Sequence, residues 1–184
     1  MTIIRDAAPG DALRIAQVHV ASWRSTYPTM LPPGYLLGLS EARLQRQWYA
    51  MLIDEAIRLG QGTVVADDSP NGLVGFGGYG AQRTCLDGYA GEFYTLYLLD
   101  DAKGLGLGRR LMAAMAERLL DVGTRSAIVW CLRDNPARWF YERLGGQRIG
   151  ERPTRFAGAD LVEIAYGWRD LVPLARMSAD PEVR

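Results

Sequence analysis

The sequence predicts an α/β protein in which helices are layered over a mixed sheet. Two patterns alternate along its 184 residues: short stretches rich in β-branched and aromatic residues, and longer stretches with apolar residues at helical spacing. In chain order they give β, α, α, β, β, β, α, β, α, β, β, which indicates helices packed on a sheet. With 48% hydrophobic and 23% charged residues, we expect one folded domain over 1–169 and a C-terminal tail over 170–184.

The first half of the chain predicts a strand, two helices and a hairpin. Ser40 precedes the second helical pattern and is suited to cap it, and the turn DSPNG separates two strand-like segments. The predicted elements are a strand at 2–7, helices at 9–23 and 40–59, and hairpin strands at 62–67 and 73–82.

The second half alternates strands with helices. After the strand GEFYTLYLL, Leu111, Met115 and Leu119 form an apolar stripe at helical spacing. Asn135 and Pro136 are suited to the cap and first position of a further helix, which Gly145 ends. The predicted strands are 91–99, 126–132, 147–156 and 160–168, and the second helix is 136–145.

Charge and cysteine content exclude several classes of function. Lys and Arg number 21, as do Asp and Glu, so no net field favours nucleic acid. No secretory pattern or bilayer-length apolar run occurs, which predicts a cytoplasmic protein without a membrane partner. With two cysteines and one histidine we expect neither a metal site nor a disulfide framework. Cys131 is interpreted as a buried, inert thiol, and Cys85 as a loop residue without an activating base.

A glycine stretch between a strand and a helix predicts an anion site. Gly104, Gly106 and Gly108 leave the backbone bare where unpaired N–H groups and the positive end of a helix dipole converge. A P-loop is excluded because no Lys-Ser or Lys-Thr follows the glycines, and a dinucleotide fingerprint would need glycine at Arg109. The stretch alone also fits a packing turn.

The stretch resembles the pyrophosphate loop of the GNAT superfamily of acetyl-CoA-dependent N-acetyltransferases. Its motif [QR]-x-x-G-x-[GA] is matched by Lys103, Gly106 and Gly108, with lysine where the family prefers Gln or Arg. The segments IRDAAPGDALRIAQVHVASWRSTY and NPARWFYERLGG also resemble the family's opening elements and its later motif. The resemblance implies a GNAT-like acyl-CoA N-acyltransferase fold: a mixed, mostly antiparallel central sheet, splayed in the middle, with helices on both faces.

The resemblance also implies the cofactor and its contacts. The acetyl donor is expected to be acetyl-CoA, without a metal, its pantetheine arm along the central strand and its diphosphate on the glycine stretch. The implied contacts are Leu96, Tyr97, Leu98, Lys103, Gly104, Leu105, Gly106, Leu107, Gly108, Arg109 and Asn135.

The implied reaction is direct attack of an amine on the thioester in a ternary complex. Tyr141 maps onto the family's acid, although a helix aromatic at that position also fits simple packing. The oxyanion donor maps near the Leu98 amide. Glu92 is the candidate base. Period-two alternation would place it on one face with Tyr94, Leu96 and Leu98, and the alternative is a solvated carboxylate at the strand edge. His19 is interpreted as structural.

The acceptor is expected to lie under segments 23–35 and 152–160. Trp23 and Tyr27 are candidate amine contacts through their ring faces, with core packing as the alternative. Arg152 and Arg155 fit either an acidic substrate group or a solvated face. The expected partner is a small-molecule or peptide amine, and a homodimer is compatible with the sequence. A non-catalytic acyl-CoA-binding module, or an enzyme using another acyl-CoA, would share these motifs.

Overall fold

A seven-stranded sheet forms the centre of the protein. The fold is described from a computed structural model, which covers residues 1–56 and 58–177. The strand order is β1-β2-β3-β4-β5-β7-β6, and only β4 and β5 pair in parallel. The strands are β1 Ile3–Asp6, β2 Gly62–Asp67, β3 Leu73–Ala81, β4 Gly91–Leu98, β5 Ala127–Leu132, β6 Gln147–Phe156 and β7 Ala159–Trp168.

Helices cover both faces of this sheet, because neighbouring strand residues point to opposite sides. Val65 packs with Ile15 and Trp48 of the first and third helices, whereas Val64 packs with the residues of the fourth. The helices are α1 Ala12–Thr26, α2 Pro33–Leu37, α3 Glu41–Glu55, α4 Leu107–Asp121, α5 Ala137–Arg143 and α6 Val172–Arg176. The predicted mixed, mostly antiparallel α/β architecture is confirmed.

The sheet is splayed in its middle, as predicted. β4 pairs with β3 along its whole length, but its described pairing with β5 is confined to Gly91–Phe93. Beyond Phe93 the two strands separate, and the edge of β4 over 94–98 faces the gap. Backbone N–H and C=O groups on such an edge are available to a ligand that adds alongside the strand.

A β-bulge in β4 overturns one sequence prediction. Gly78 pairs with Thr95 and Tyr79 with Phe93, so Tyr94 is an extra residue that breaks the alternation. Phe93 therefore shares a hydrophobic cluster with Leu96 and Leu98, the residues expected on the face of Glu92. The predicted common face of Glu92 with Leu96 and Leu98 is wrong.

The chain end also differs from the prediction. Leu171, Leu174 and Ala175 are buried in the cluster that contains α4. The predicted tail is therefore wrong for residues 171–177, because their apolar side chains pack into the core; the remainder, 178–184, lies outside the described residues. Two further differences are α2, which the sequence did not reveal, and the end of α3 at Glu55 rather than near residue 59.

Candidate active site

A cavity of about 1060 Å³ opens where β4 and β5 diverge. Its walls come from α1, β4, the glycine stretch, β5, α5 and the β6–β7 hairpin. The gap in the sheet thus becomes a channel that runs past the N-terminus of α4. A site in the opening of an α/β sheet, beside a helix N-terminus, is a common position for a ligand.

The glycines of the stretch fill different roles. Gly104 and Gly106 both have φ +76°, a left-handed conformation that favours glycine, and Gly106 is the N-cap of α4. Gly108 is buried; an added Cβ would lie 3.2 Å from Phe140 and 3.3 Å from Leu98. All three glycines line the cavity, and Gly108 also permits close packing of α4 on α5. Their predicted contact with a phosphate stays a prediction.

The remaining predicted diphosphate contacts surround this helix start. Lys103 lies on the cavity wall and donates to Asp100, with Nζ 2.6 Å from Oδ1, and this ion pair lowers the pKa of Asp100. Arg109 also lines the cavity. Leu105 is 69% exposed and Leu107 is buried, and neither side chain lines the cavity, so only their backbone groups can serve as contacts.

Tyr141 is on the cavity wall, where the predicted acid must be. It projects from α5, is buried, and packs edge-on against Phe140 with ring centroids 5.4 Å apart. Among the described residues no protein group hydrogen-bonds to its hydroxyl, which leaves that group available to a ligand in the cavity. Burial raises the pKa of Tyr141, so the phenol keeps its proton well above neutral pH.

Asn135 and Tyr27 form a contact across the cavity. The Asn135 side chain accepts from the Ala137 amide at 2.9 Å, and its Nδ2 donates to the Tyr27 hydroxyl at 3.3 Å. The N-cap of α5 is Pro136 rather than the predicted Asn135, so Asn135 binds the first amide of the helix from one position earlier. Tyr27 and Trp23 both line the cavity, with ring centroids 5.0 Å apart. Because Asn135 already has these partners, its predicted contact with the cofactor stays a prediction.

Glu92 is deeply buried rather than solvated. Its carboxylate is 2% exposed and accepts three hydrogen bonds from Arg83, from the backbone N at 2.9 Å, Nε at 3.2 Å and Nη2 at 2.5 Å. The alternative of a solvent-exposed strand-edge carboxylate is therefore wrong. Glu92 lines the cavity as the catalytic hypothesis requires, but Arg83 occupies both of its oxygens.

The predicted acceptor segments meet over the cavity. Phe156, at the end of β6, packs 4.9 Å from Tyr35 and 5.9 Å from Trp23 between ring centroids. Arg152 lines the cavity, whereas Arg155 is 75% exposed and only loosely paired with Asp160 at 3.8 Å.

Sequence reasoning missed Arg83, Trp130 and Glu163 as cavity residues. The residues that they contact are distant in sequence or lie across the sheet. The alternation of side chains along β7 was the one pattern that could have assigned a member of this set, Glu163, to a face of the sheet.

Cys131 and His19 are both buried, with different surroundings. Cys131 lines the cavity, and burial raises the pKa of its thiol to about 12, which keeps it protonated and weakly nucleophilic. His19 packs 5.4 Å from the Tyr97 ring and accepts from Trp48 Nε1 at 3.3 Å. Desolvation lowers its pKa to about 4, and it does not line the cavity, in agreement with a structural histidine.

The buried histidine makes stability depend on pH. Because the pKa of His19 is about 4 when folded and near 6.5 when exposed, the unfolded chain takes up a proton that the folded chain refuses. We expect this residue to contribute up to about 3 kcal/mol to the free energy of unfolding above pH 6.5, and this contribution is lost as the pH falls toward 4. Denaturant titrations of the wild type and of His19→Gln over pH 4–7 measure this contribution. Because His19 is the only histidine in the sequence, plots of unfolding free energy against pH that run parallel for the two proteins would contradict the prediction.

Comparisons with known proteins agree with this geometry. The FR47-like protein family model matches residues 78–155. The chain is 36% identical over 174 residues to an uncharacterized N-acetyltransferase, YuaI, of Bacillus subtilis, covering 95% of this chain and 96% of that protein. It is 30% identical over 102 residues to an L-methionine sulfoximine/L-methionine sulfone acetyltransferase of Pseudomonas aeruginosa, covering 54% of this chain and 59% of that protein.

A solved structure shares the fold. The GNAT superfamily phosphinothricin acetyltransferase from Sinorhizobium meliloti, in complex with AcCoA, aligns with a TM-score of 0.65 and 21% identity over 91% of this chain and 87% of that one. The chain belongs to the GNAT superfamily and is an N-acetyltransferase enzyme, one that transfers an acetyl group to an amine. No described helix combines the length and apolar character that crossing a membrane requires.

Proposed function

We propose that the protein uses acetyl-CoA to acetylate the amine of a small molecule in the cavity between β4 and β5. The observation that carries the proposal is the alignment of three features along one channel: the α4 N-terminus with Gly106, the open edge of β4, and the Tyr141 hydroxyl. The relatives named above support a small-molecule acceptor, since methionine sulfoximine and phosphinothricin appear in their names.

The donor end of the channel fits a diphosphate and an extended arm. The first amides of α4 have no partner within the helix, and Gly104 has no atom near its would-be Cβ, so backbone donors are accessible there. Lys103 and Arg109 add positive charge at the same end. The edge of β4 over Leu96, Tyr97 and Leu98 offers hydrogen bonds to an amide-bearing arm. Bound acetyl-CoA would supply the activated acetyl thioester.

Tyr141 and β4 carry the chemistry at the reacting centre. The Leu98 amide is the proposed donor to the carbonyl oxygen as negative charge develops on it. The Tyr141 hydroxyl is the proposed donor to the departing sulfur: its hydrogen bond stabilises the negative charge that develops there, and it protonates the thiolate. Because the pKa of a phenol, about 10, exceeds that of a thiol, near 8.5, this transfer is uphill, and the phenol regains its proton from solvent. Its burial keeps this proton in place at the pH of the reaction.

The acceptor ammonium must lose a proton before it can attack. The described cavity wall contains two carboxylates, Glu92 and Glu163, and no histidine. Glu92 is the proposed base, acting through water because Arg83 occupies its oxygens. Glu163 is the second candidate, because Arg152 contacts only its Oε2 and no described protein group donates to Oε1.

Replacing each carboxylate by its amide separates the two candidates. We expect Glu92→Gln to lower kcat at saturating acceptor by about 100-fold or more, as for loss of a general base, and Glu163→Gln to lower it less than tenfold. A base changes kcat, whereas a residue that only positions the acceptor changes KM. Steady-state rates with thermal unfolding curves check this, and the reverse order of effects would assign the base to Glu163.

Thiol release from acetyl-CoA tests the function as a whole. Purified protein should release CoA only when a suitable amine is present, and initial rates at varied concentrations of both substrates should give intersecting lines, as a ternary complex requires. Parallel lines would indicate a covalent acetyl-enzyme instead. Binding without turnover for every amine would favour a non-catalytic module, and faster turnover with succinyl-CoA would favour another acyl donor.

A further inference from the structure

We propose that the acceptor is an amino acid or a similar amine carrying a carboxylate, held by Arg83 and Arg152. This inference rests on the proposed function, because it assigns the acceptor of that reaction. These residues, named here the arginine pair, both line the cavity. Each has a carboxylate on one side of its guanidinium and an aromatic ring against its face.

Arg83 is fixed in place yet retains free donors. Its Nε and Nη2 donate to Glu92 Oε1 at 3.2 Å and 2.5 Å, and its guanidinium lies 4.1 Å from the centre of the Tyr94 ring. A guanidinium has five N–H donors, and in the described residues no protein acceptor contacts its Nη1. The Arg83 side chain is 61% exposed although its partner Glu92 is buried, so the outer donors face the open side.

Arg152 repeats this arrangement on the β6–β7 hairpin. Its Nε donates to Glu163 Oε2 at 2.8 Å, its Nη2 lies 2.8 Å from the same oxygen, and its guanidinium lies 3.9 Å from the Trp130 ring centre. Nη1 has no acceptor within the part of the chain that the structure describes, and the side chain is 41% exposed. Guanidiniums fixed by a carboxylate and a ring lose little freedom when they bind an anion.

Direct contacts join the arginine pair into one wall. Trp130, beneath Arg152, donates from Nε1 to the Thr84 hydroxyl at 3.2 Å, and Thr84 follows Arg83 in the chain. The wall lies at the N-terminal end of β4, whereas the glycine stretch follows its C-terminal end. From Glu92 to Leu98 an extended strand spans about 20 Å. The arginine pair is thus too far from the glycine stretch to share its diphosphate.

The charges of this wall match a zwitterion. Two guanidiniums present N–H donors in planar geometry, which suits the two oxygens of a carboxylate. Glu163 stands beside them with no described donor on its Oε1 and can pair with an ammonium group, whereas Glu92 reaches it only through water. An acceptor with a carboxylate and an ammonium group can pair with both the guanidiniums and the glutamates, whereas a diamine would place a second cation against the arginine pair. The structure therefore favours acceptors that carry an acid group over polyamines or amines without one.

Matched acceptors and matched variants test this assignment. The acceptors are L-leucine against L-leucinamide, 4-aminobutyrate against 4-aminobutanamide, and 1,4-diaminobutane, each assayed by thiol release. Lysine replaces each arginine, because Arg83→Met would leave the buried Glu92 without a counter-charge. The variants are Arg83→Lys and Arg152→Lys, with Arg155→Lys as control on the same hairpin. Acetyl-CoA affinity is measured for every variant.

We expect at least one acid to exceed its amide in kcat/KM by tenfold or more. Each variant of the arginine pair should lower the ratio of kcat/KM for that acid to kcat/KM for its amide at least tenfold, while the affinity for acetyl-CoA changes less than twofold; any change in the base that the arginine contacts affects both acceptors alike and leaves this ratio unaltered. Arg155→Lys should match wild type. Three results would overturn this inference without affecting the proposed function: equal kcat/KM for acids and their amides, a preference for the diamine, or an equal loss of kcat/KM for an acid and its amide in the variants. Absence of thiol release with every amine would overturn the proposed function as well.

Discussion

Tyr141→Phe should lower kcat by about 10²- to 10⁴-fold, the usual contribution of a general acid, while acetyl-CoA binds with unchanged affinity. The substitution removes only a hydroxyl to which no described protein group hydrogen-bonds, and the ring that packs against Phe140 is kept. Because burial raises the pKa of Tyr141 above its ordinary value, the wild-type phenol stays protonated through the alkaline range. The ratio of wild-type to variant rates should therefore be constant from about pH 6 to pH 9.

Tyr166→Phe is the matched control for that variant. Tyr166 lies in the same core, with its ring centre 6.2 Å from that of Tyr141, and donates to Glu142 at 2.8 Å without lining the cavity. Losing this hydrogen bond should cost about 1 kcal/mol of stability and leave kcat within about twofold. Wild-type turnover in Tyr141→Phe, or an equal loss in both variants, would exclude the acid role.

Gly106→Val should weaken acetyl-CoA binding by at least about tenfold, equivalent to about 1.4 kcal/mol. Gly106 has φ +76° at the N-cap of α4, a conformation that a β-branched residue adopts only with strain. Relaxing that strain rotates the amides that begin the helix away from the site where we propose the diphosphate binds. Isothermal titration calorimetry with acetyl-CoA measures the change.

Gly123→Val separates this local effect from general strain. Gly123 has φ +81° just beyond the opposite end of α4 and, like Gly104, has no atom within 4 Å of an added Cβ. Both valine variants should lose about 1–3 kcal/mol of stability, but only Gly106→Val should lose affinity. Equal affinity for acetyl-CoA in Gly106→Val and wild type would remove the glycine stretch from the binding site.

The sequence predicted the regular elements well because their signals are local. β2 and β6 begin and end at the predicted residues, and Ser40 caps α3 by accepting from the Arg43 amide at 3.3 Å. The glycine stretch was recognisable because the left-handed backbone before α4 favours glycine, so the sequence carries glycines at a fixed distance from the start of the helix. The position of Tyr141 followed from a short motif. These features depend on residues close together in the chain.

The features that the sequence did not reveal depend on contacts between distant residues. The bulge at Tyr94 arises from pairing with β3 and reverses the faces of β4. α6 has too few residues for a periodic pattern, and its place is set by burial of Leu174 against α4. No sequence pattern indicated Arg83, and Arg152 was left between an acidic substrate group and a solvated face; only the fold brings Tyr94 and Trp130 beneath these two arginines.

Calorimetric titration of the wild-type protein with acetyl-CoA, with CoA and NADH as comparators, shows whether the protein has an acyl-CoA site. We expect saturable binding of acetyl-CoA and of CoA at one site per chain, and no saturable binding of NADH. Failure of acetyl-CoA to bind would contradict the proposed function, because the cavity between β4 and β5 could not then be the donor site of an acetyltransferase.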